Sequence, residues 1–198
     1  MGFDITGLNP KNLKVKSPKC PKDLFQGCSK AEQDKYFEDL GKYQEQKGTY
    51  FRNNVWWWRP LAHYVLEYTK VISQNDKEKW YYNDCHEITK QEALQIAKQL
   101  RHLINSGHTK KFSRDWEARR KKIEKHNDKV EKELEKHCQD VFKKLGKTIA
   151  PKDFPKKDYD KWQRIYNEKN SDGSYPFSIK NVEEFAEFCE YSGGFSIG

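Results

Sequence analysis

The run Arg52-Asn53-Asn54, followed after one residue by Trp56-Trp57-Trp58-Arg59, gathers groups that can bind an anion. Guanidinium groups make paired hydrogen bonds to phosphate or carboxylate. The amides of Asn53 and Asn54 both donate and accept, so they can read the edges of a base or sugar. Indole faces, those of Trp56 and Trp58 included, can stack on a base. Tyr50 precedes the run, and Asn83, Asp84 and His86 form a second polar cluster. Each cluster stands just before a helical stretch, whose amino end has spare N–H groups and a positive dipole. The predicted ligand-binding set is therefore Tyr50, Arg52, Asn53, Asn54, Trp56, Trp58, Arg59, Asn83, Asp84 and His86. It forms one pocket if the two strand-to-helix junctions share an edge of a sheet. A structural reading of the same residues stands beside it. There the three indoles anchor a core, the arginines pair with Asp84 or Glu87, and Asn53-Asn54 makes a turn.

Catalysis has a narrower footing. His86 beside Asp84 has the makings of a general base in a small hydrolase or nuclease. No matching nucleophile motif accompanies it, and the common phosphate-loop, dinucleotide, nucleophile-elbow and zinc-protease motifs are absent. Cys85-His86-Glu87 resembles half of a zinc-deaminase site, but no P-C-x-x-C follows. No cofactor and no metal are expected. The five cysteines, Cys20, Cys28, Cys85, Cys138 and Cys189, are odd in number and contain no C-x-x-C. They read as reduced thiols of a cytoplasmic protein.

Composition narrows the class. Of 198 residues, 35% are hydrophobic and 34% charged. No apolar run approaches the ~20 residues that span a bilayer. The amino terminus lacks the basic and apolar regions of a signal peptide, so membrane and secreted classes are not expected. Lys and Arg number 38 against 30 Asp and Glu, a net charge of +8. That surface suits nucleic acid, nucleotides or acidic protein faces, or is only a solvated lysine coat.

The elements follow from periodicity. Phe3, Ile5 and Leu8 alternate as a strand ended by Asn9-Pro10, and residues 10–30 form a surface loop. Residues 30–46 form a helix with Tyr36, Phe37, Leu40 and Tyr43 on one stripe, capped by Ser29. Thr49-Tyr50-Phe51 starts as a strand. Pro60 suits the first turn of the next helix, which carries Leu61, Val65, Tyr68 and Ile72. Trp80-Tyr81-Tyr82 is a short strand candidate. Thr89 and Glu92 frame a capping box before a helix that Gly107 stops. Asn181 and Glu184 imitate another box ahead of a helix burying Val182, Phe185, Ala186, Phe188 and Cys189. Phe195 and Ile197 then form a last strand beside Phe3–Ile5.

Residues 113–145 differ. Ser113 can cap a helix whose few apolar residues, Trp116, Ile123, Val130, Leu134, Val141 and Leu145, make a thin heptad-like seam with Asn127 and His137 between them. Between 113 and 147 lie 12 basic and 8 acidic residues, half of the chain's excess. Pro151 and Pro155 turn the chain, and residues 158–169 return through Tyr159, Trp162, Ile165 and Tyr166. The prediction is an α+β fold: a small antiparallel or mixed sheet packed by three or four helices (1–112 and 171–198), with an inserted charged helical hairpin (113–170). Arg114, Arg119, Arg120, Lys121 and Lys122 are the hairpin's candidate contacts to a phosphate backbone.

The blocks MGFDITGLNP, GTYFRNNVWWWRPLAHYV, YYNDCHEI and YPFSIKNVEEFAEFCEYSGGFSI resemble an uncharacterised protein family of bacteriophages and some bacteria. The resemblance covers about half the chain and implies one common core but no activity. It also implies Gly where this chain has Cys85. Some relatives carry cysteine-rich, zinc-ribbon-like insertions where this chain has its charged rod, so zinc does not carry over. Three functions stay open. The first is a non-catalytic viral protein capturing an anionic, nucleotide-like ligand, in the host cytoplasm, to evade host defence. The second is an interaction protein that grips a host protein through 113–170. The third is the hydrolase or nuclease built on His86 and Asp84.

Overall fold

Side-chain capping signals start four of the helices. The computed structural model describes residues 2–82 and 85–198. Strand β1 (Gly2–Gly7) is followed by a long surface loop and helix α1 (Lys30–Gln44). Ser29 and Glu32 close a reciprocal capping box at its start. Strand β2 (Tyr50–Asn54) runs directly into α2 (Val55–Tyr68), and a single turn, α3 (Lys79–Tyr82), precedes β3 (His86–Ile88). Helix α4 (Lys90–Asn105) starts from the Thr89–Glu92 box. Then come α5 (His108–Leu145), α6 (Lys156–Tyr166), α7 (Ile179–Tyr191) and β4 (Phe195–Ile197).

The four strands form one antiparallel sheet in the order β2-β1-β4-β3. Alternation sends Phe3, Ile5, Phe195 and Ile197 to one face, where all four are buried. Helices α2, α4 and α7 supply most of the rest of that core, including Leu61, Val65, Ile96, Leu100, Val182 and Phe185. This is the expected α+β class, and the sheet is antiparallel. Two glycines are required by close approach. A Cβ on Gly48, at φ +79°, would sit 2.3 Å from the Tyr191 carbonyl carbon, and one on Gly193 would sit 2.0 Å from the Asn9 oxygen.

The chain forms two units, Met1–Phe112 with Phe177–Gly198, and Ser113–Pro176. The return to the first unit comes at Phe177, later than the expected 171. The Trp116 indole donates to the Tyr175 carbonyl at 2.7 Å, and Gly173 lies against Ile123, which keeps 171–176 with the hairpin.

Several local expectations are corrected. Helix α2 begins at Val55, with Pro60 inside it, because Asn54 caps the amide groups of Trp56 and Trp57. Trp80-Tyr81-Tyr82 is one helical turn rather than a strand; its role is to bury Trp80, and the edge strand is His86–Ile88. Helix α5 starts at His108, not 113. The Tyr64 hydroxyl bonds His108 Nδ1 and Thr109 Oγ1, both at 2.9 Å, and Phe112 packs on Tyr64 and Phe177, so the first turn belongs to the core unit. The cap of α7 is Ser178, whose hydroxyl accepts from Asn181 N; Asn181 lies within the helix. Helix α1 buries none of its residues. Its aromatic stripe meets the preceding loop instead, with Phe37 against Phe25 at 6.4 Å.

Candidate functional site

Strand β2 is an edge of the sheet, and its register decides where the first cluster points. Phe51 pairs with Ile5 and turns inward onto Phe185 and Phe188, at 5.2 and 5.8 Å between rings. Tyr50 and Arg52, opposite Thr6 and Asp4, therefore project from the other face. There Arg52 Nε lies 3.4 Å from the Asp4 carboxylate, in a largely exposed pair. Such a pair contributes at most about 1 kcal/mol. The Tyr50 hydroxyl donates to the same carboxylate. Burial first, and then the Asp4 hydrogen bond, push the Tyr50 phenol up to about 12.

The next residues hold elements together. Asn53 donates to the Asn181 side-chain oxygen at 2.9 Å, and Asn181 donates to the Trp57 carbonyl at 3.3 Å, tying β2 and α2 to α7. Asn54 is the α2 cap. The helical turn then splits the indoles. Trp58 is fully buried between Phe3 and Trp80, at 5.3 and 5.7 Å, and donates to the Trp80 carbonyl at 2.6 Å. Trp58 is thus a core anchor and not a pocket wall. Trp56 and Trp57 stay 48% and 38% exposed, and Arg59 is exposed as well.

His86 sits on the opposite edge of the sheet. Its register partner Ile197 pairs with Ile5, so His86 shares the core-side row. The Trp80 indole donates to His86 Nδ1 at 3.2 Å, and the other ring nitrogen lies 3.8 Å from Asp76. Burial is the largest influence on His86 and lowers its pKa, against the opposing pull of Asp76. The neutral ring that accepts at Nδ1 carries its proton at Nε2. A general base needs a free lone pair facing the proton it takes, and this arrangement uses the one it has. Before His86, Cys85 adopts φ +49°, a left-handed backbone where the resemblance implies Gly. Asn83 and Asp84 lie outside the described residues.

Among the described residues the two clusters do not converge. Two strands separate β2 from β3, about 14 Å at the usual strand spacing. Arg52 and His86 also project from opposite faces. No group of three or more His, Cys, Asp or Glu side chains among the described residues is placed to hold a metal ion.

The hairpin is built differently. Val130, Leu134 and Ile165 form its small apolar seam, joined by Trp162. Polar residues complete it by bonding the returning backbone. Asn127 exchanges two hydrogen bonds with the Asn170 backbone at 2.8 and 2.9 Å, and His137 Nε2 lies 2.8 Å from the Asp158 carbonyl. These side-chain-to-backbone bonds, exposed at Asn127 and part-buried at His137, fasten the returning chain to α5. The cations expected to face a phosphate backbone are partly spoken for: Arg119 pairs with Asp172 at 3.0 Å, and Arg120 and Lys121 with Glu117 at 2.8 and 3.9 Å.

The turn end of the hairpin was missed. A cavity of about 520 Å³ lies between α5 and α6, lined by Lys143, Lys144, Lys157, Lys161 and Arg164. Two carboxylates, Asp140 and Asp158, and His137 complete the wall. Lys144 pairs with Asp158 at 3.3 Å; the other four cations form no ion pair among the described residues. A charge count over 143–164 would have found it, with eight basic residues against three acidic.

Comparison with protein-family models, with curated proteins and with solved structures finds no match to this chain.

Proposed function

We propose that this is a non-catalytic binding protein whose helical hairpin engages an anionic partner, with the α+β core as its scaffold. One observation carries the reading: the stretch 143–164 holds an excess of five positive charges out of the chain's eight, and four of its cations line an open cavity without acidic partners among the described residues. Unpaired surface cations attract anions and speed their approach. The core's candidates support it from the other side. Asn53, Asn54 and Trp58 serve the fold, and His86 has its lone pair engaged by Trp80. The five thiols are free, which suits a reducing cytoplasm. If the phage-type resemblance reflects origin, the partner is a host component.

The test compares two variants of the full chain on anionic probes, a DNA duplex and polyglutamate. Lys157→Gln/Lys161→Gln/Arg164→Gln should lose capture of the probe that binds, and Arg52→Ala/Arg59→Ala should retain it. The reverse pattern would overturn the reading.

The exposed indoles of Trp56 and Trp57 favour a second reading, a nucleotide-like ligand held at the start of α2 beside Arg52 and Arg59. Isothermal titration with a panel of nucleotides tests it. Heat that disappears in Arg59→Ala supports it, and no heat with any nucleotide removes it.

A further inference from the structure

We infer that the cavity between α5 and α6 holds successive phosphate groups of a nucleic-acid duplex and reads no bases. The inference rests on the hairpin reading above and specifies its partner. Lys157, Lys161 and Arg164 follow each other at i, i+4 and i+7 on α6, which places them in one row along the helix. At 1.5 Å per residue the row is about 10 Å long. A row of that length matches consecutive charges on a polymer. Lys143 and Lys144 bring further charge from α5 across the cavity.

The acidic groups in the wall do not cancel this row. Asp158 is engaged by Lys144 at 3.3 Å, and its backbone carbonyl by His137. Asp140 is the other carboxylate, and it faces four cations with no ion pair of their own among the described residues. All five cations are exposed, so contact with a phosphate costs little desolvation and releases counterions from the nucleic acid.

The aromatic residues of α6 explain why base recognition is not part of the site. Tyr159, Trp162 and Tyr166 stack on one another at 6.2 and 4.9 Å. At 3.6 residues per turn they fall about 100° or more around the helix from the cationic row, on its other side. The cavity side therefore lacks the ring platforms on which single strands stack their bases.

Fluorescence anisotropy of the intact chain with a short labelled DNA duplex, titrated over a range of salt, tests this. The wild type should bind duplexes of unrelated sequence equally, with affinity falling steeply as salt rises. Each phosphate contact adds about 0.9 to the slope of log affinity against log salt, so Lys157→Gln/Lys161→Gln/Arg164→Gln should lower the slope by about 3 and Lys161→Gln alone by about 1. An unchanged slope in both variants overturns the inference. Polyglutamate, run in parallel, separates the two levels. If polyglutamate binds and is lost in the triple variant while duplex does not bind, the phosphate site is wrong and the hairpin reading stands. If neither probe binds, both fail.

Discussion

The core unit and the hairpin solve the same problem with different materials. The core buries whole aromatic side chains: Trp58, Trp80, Phe3, Phe185 and Phe195 are all at or near zero exposure. Each such residue gains about 1.5–3 kcal/mol from burial. Its polar groups are spent on fastening the pieces, as the Asn53–Asn181–Trp57 chain shows. The hairpin has only a narrow seam, and Leu145 at its end is already 36% exposed. Its register comes from Asn127 and His137 reaching backbone atoms. Charges that the seam does not need remain at the surface, and at the turn end only some of them find acidic partners, as Lys144 does in Asp158. Asn53, Asn54 and Trp58 of the core are therefore structural, while at the hairpin's turn end Lys143, Lys157, Lys161 and Arg164 have no ion pair among the described residues.

Three substitutions sharpen this contrast. The largest effect belongs to Trp58→Ala, which empties the centre of the Phe3–Trp58–Trp80 stack. A loss of about 3–5 kcal/mol in urea unfolding is expected. A loss below about 1 kcal/mol would return Trp58 to the list of pocket residues. Leu134→Ala, 5% exposed in the hairpin seam, should cost about 2–4 kcal/mol, read as faster amide hydrogen exchange along α5 and α6. Unchanged exchange would mean that the seam does not hold the two helices. The smallest effect is a gain. Cys85→Gly relieves a side chain at φ +49° and should stabilise the chain by about 0.5–1 kcal/mol in the same urea assay. Destabilisation would show that the Cys85 side chain contributes a contact worth more than its backbone strain.

Much of the architecture was legible because it is written locally. The Thr89–Glu92 box, the Phe195–Ile197 alternation and the apolar stripe of α7 each act over a few residues and came out as expected. Pro60 points to a first turn, but Asn54 six residues earlier caps the helix and starts it at Val55. Trp80-Tyr81-Tyr82 has strand-like composition, but burying Trp80 beneath Trp58 takes one helical turn. The separation of Arg52 from His86 was not legible, since it follows from strand order, which local pattern does not state. The basic cavity needed the turn at 146–155 to bring Lys143 and Lys144 opposite Lys157, Lys161 and Arg164. Its charge excess was in plain view, whereas its convergence was not.

The most direct test is a titration of the isotope-labelled full chain with a short DNA duplex, followed through its amide chemical shifts. Binding through the hairpin predicts shifts gathered within residues 137–164, growing with ligand and collapsing with salt. Shifts gathered instead at residues 50–59, with 137–164 unmoved, would contradict it and place the anion site back on the core.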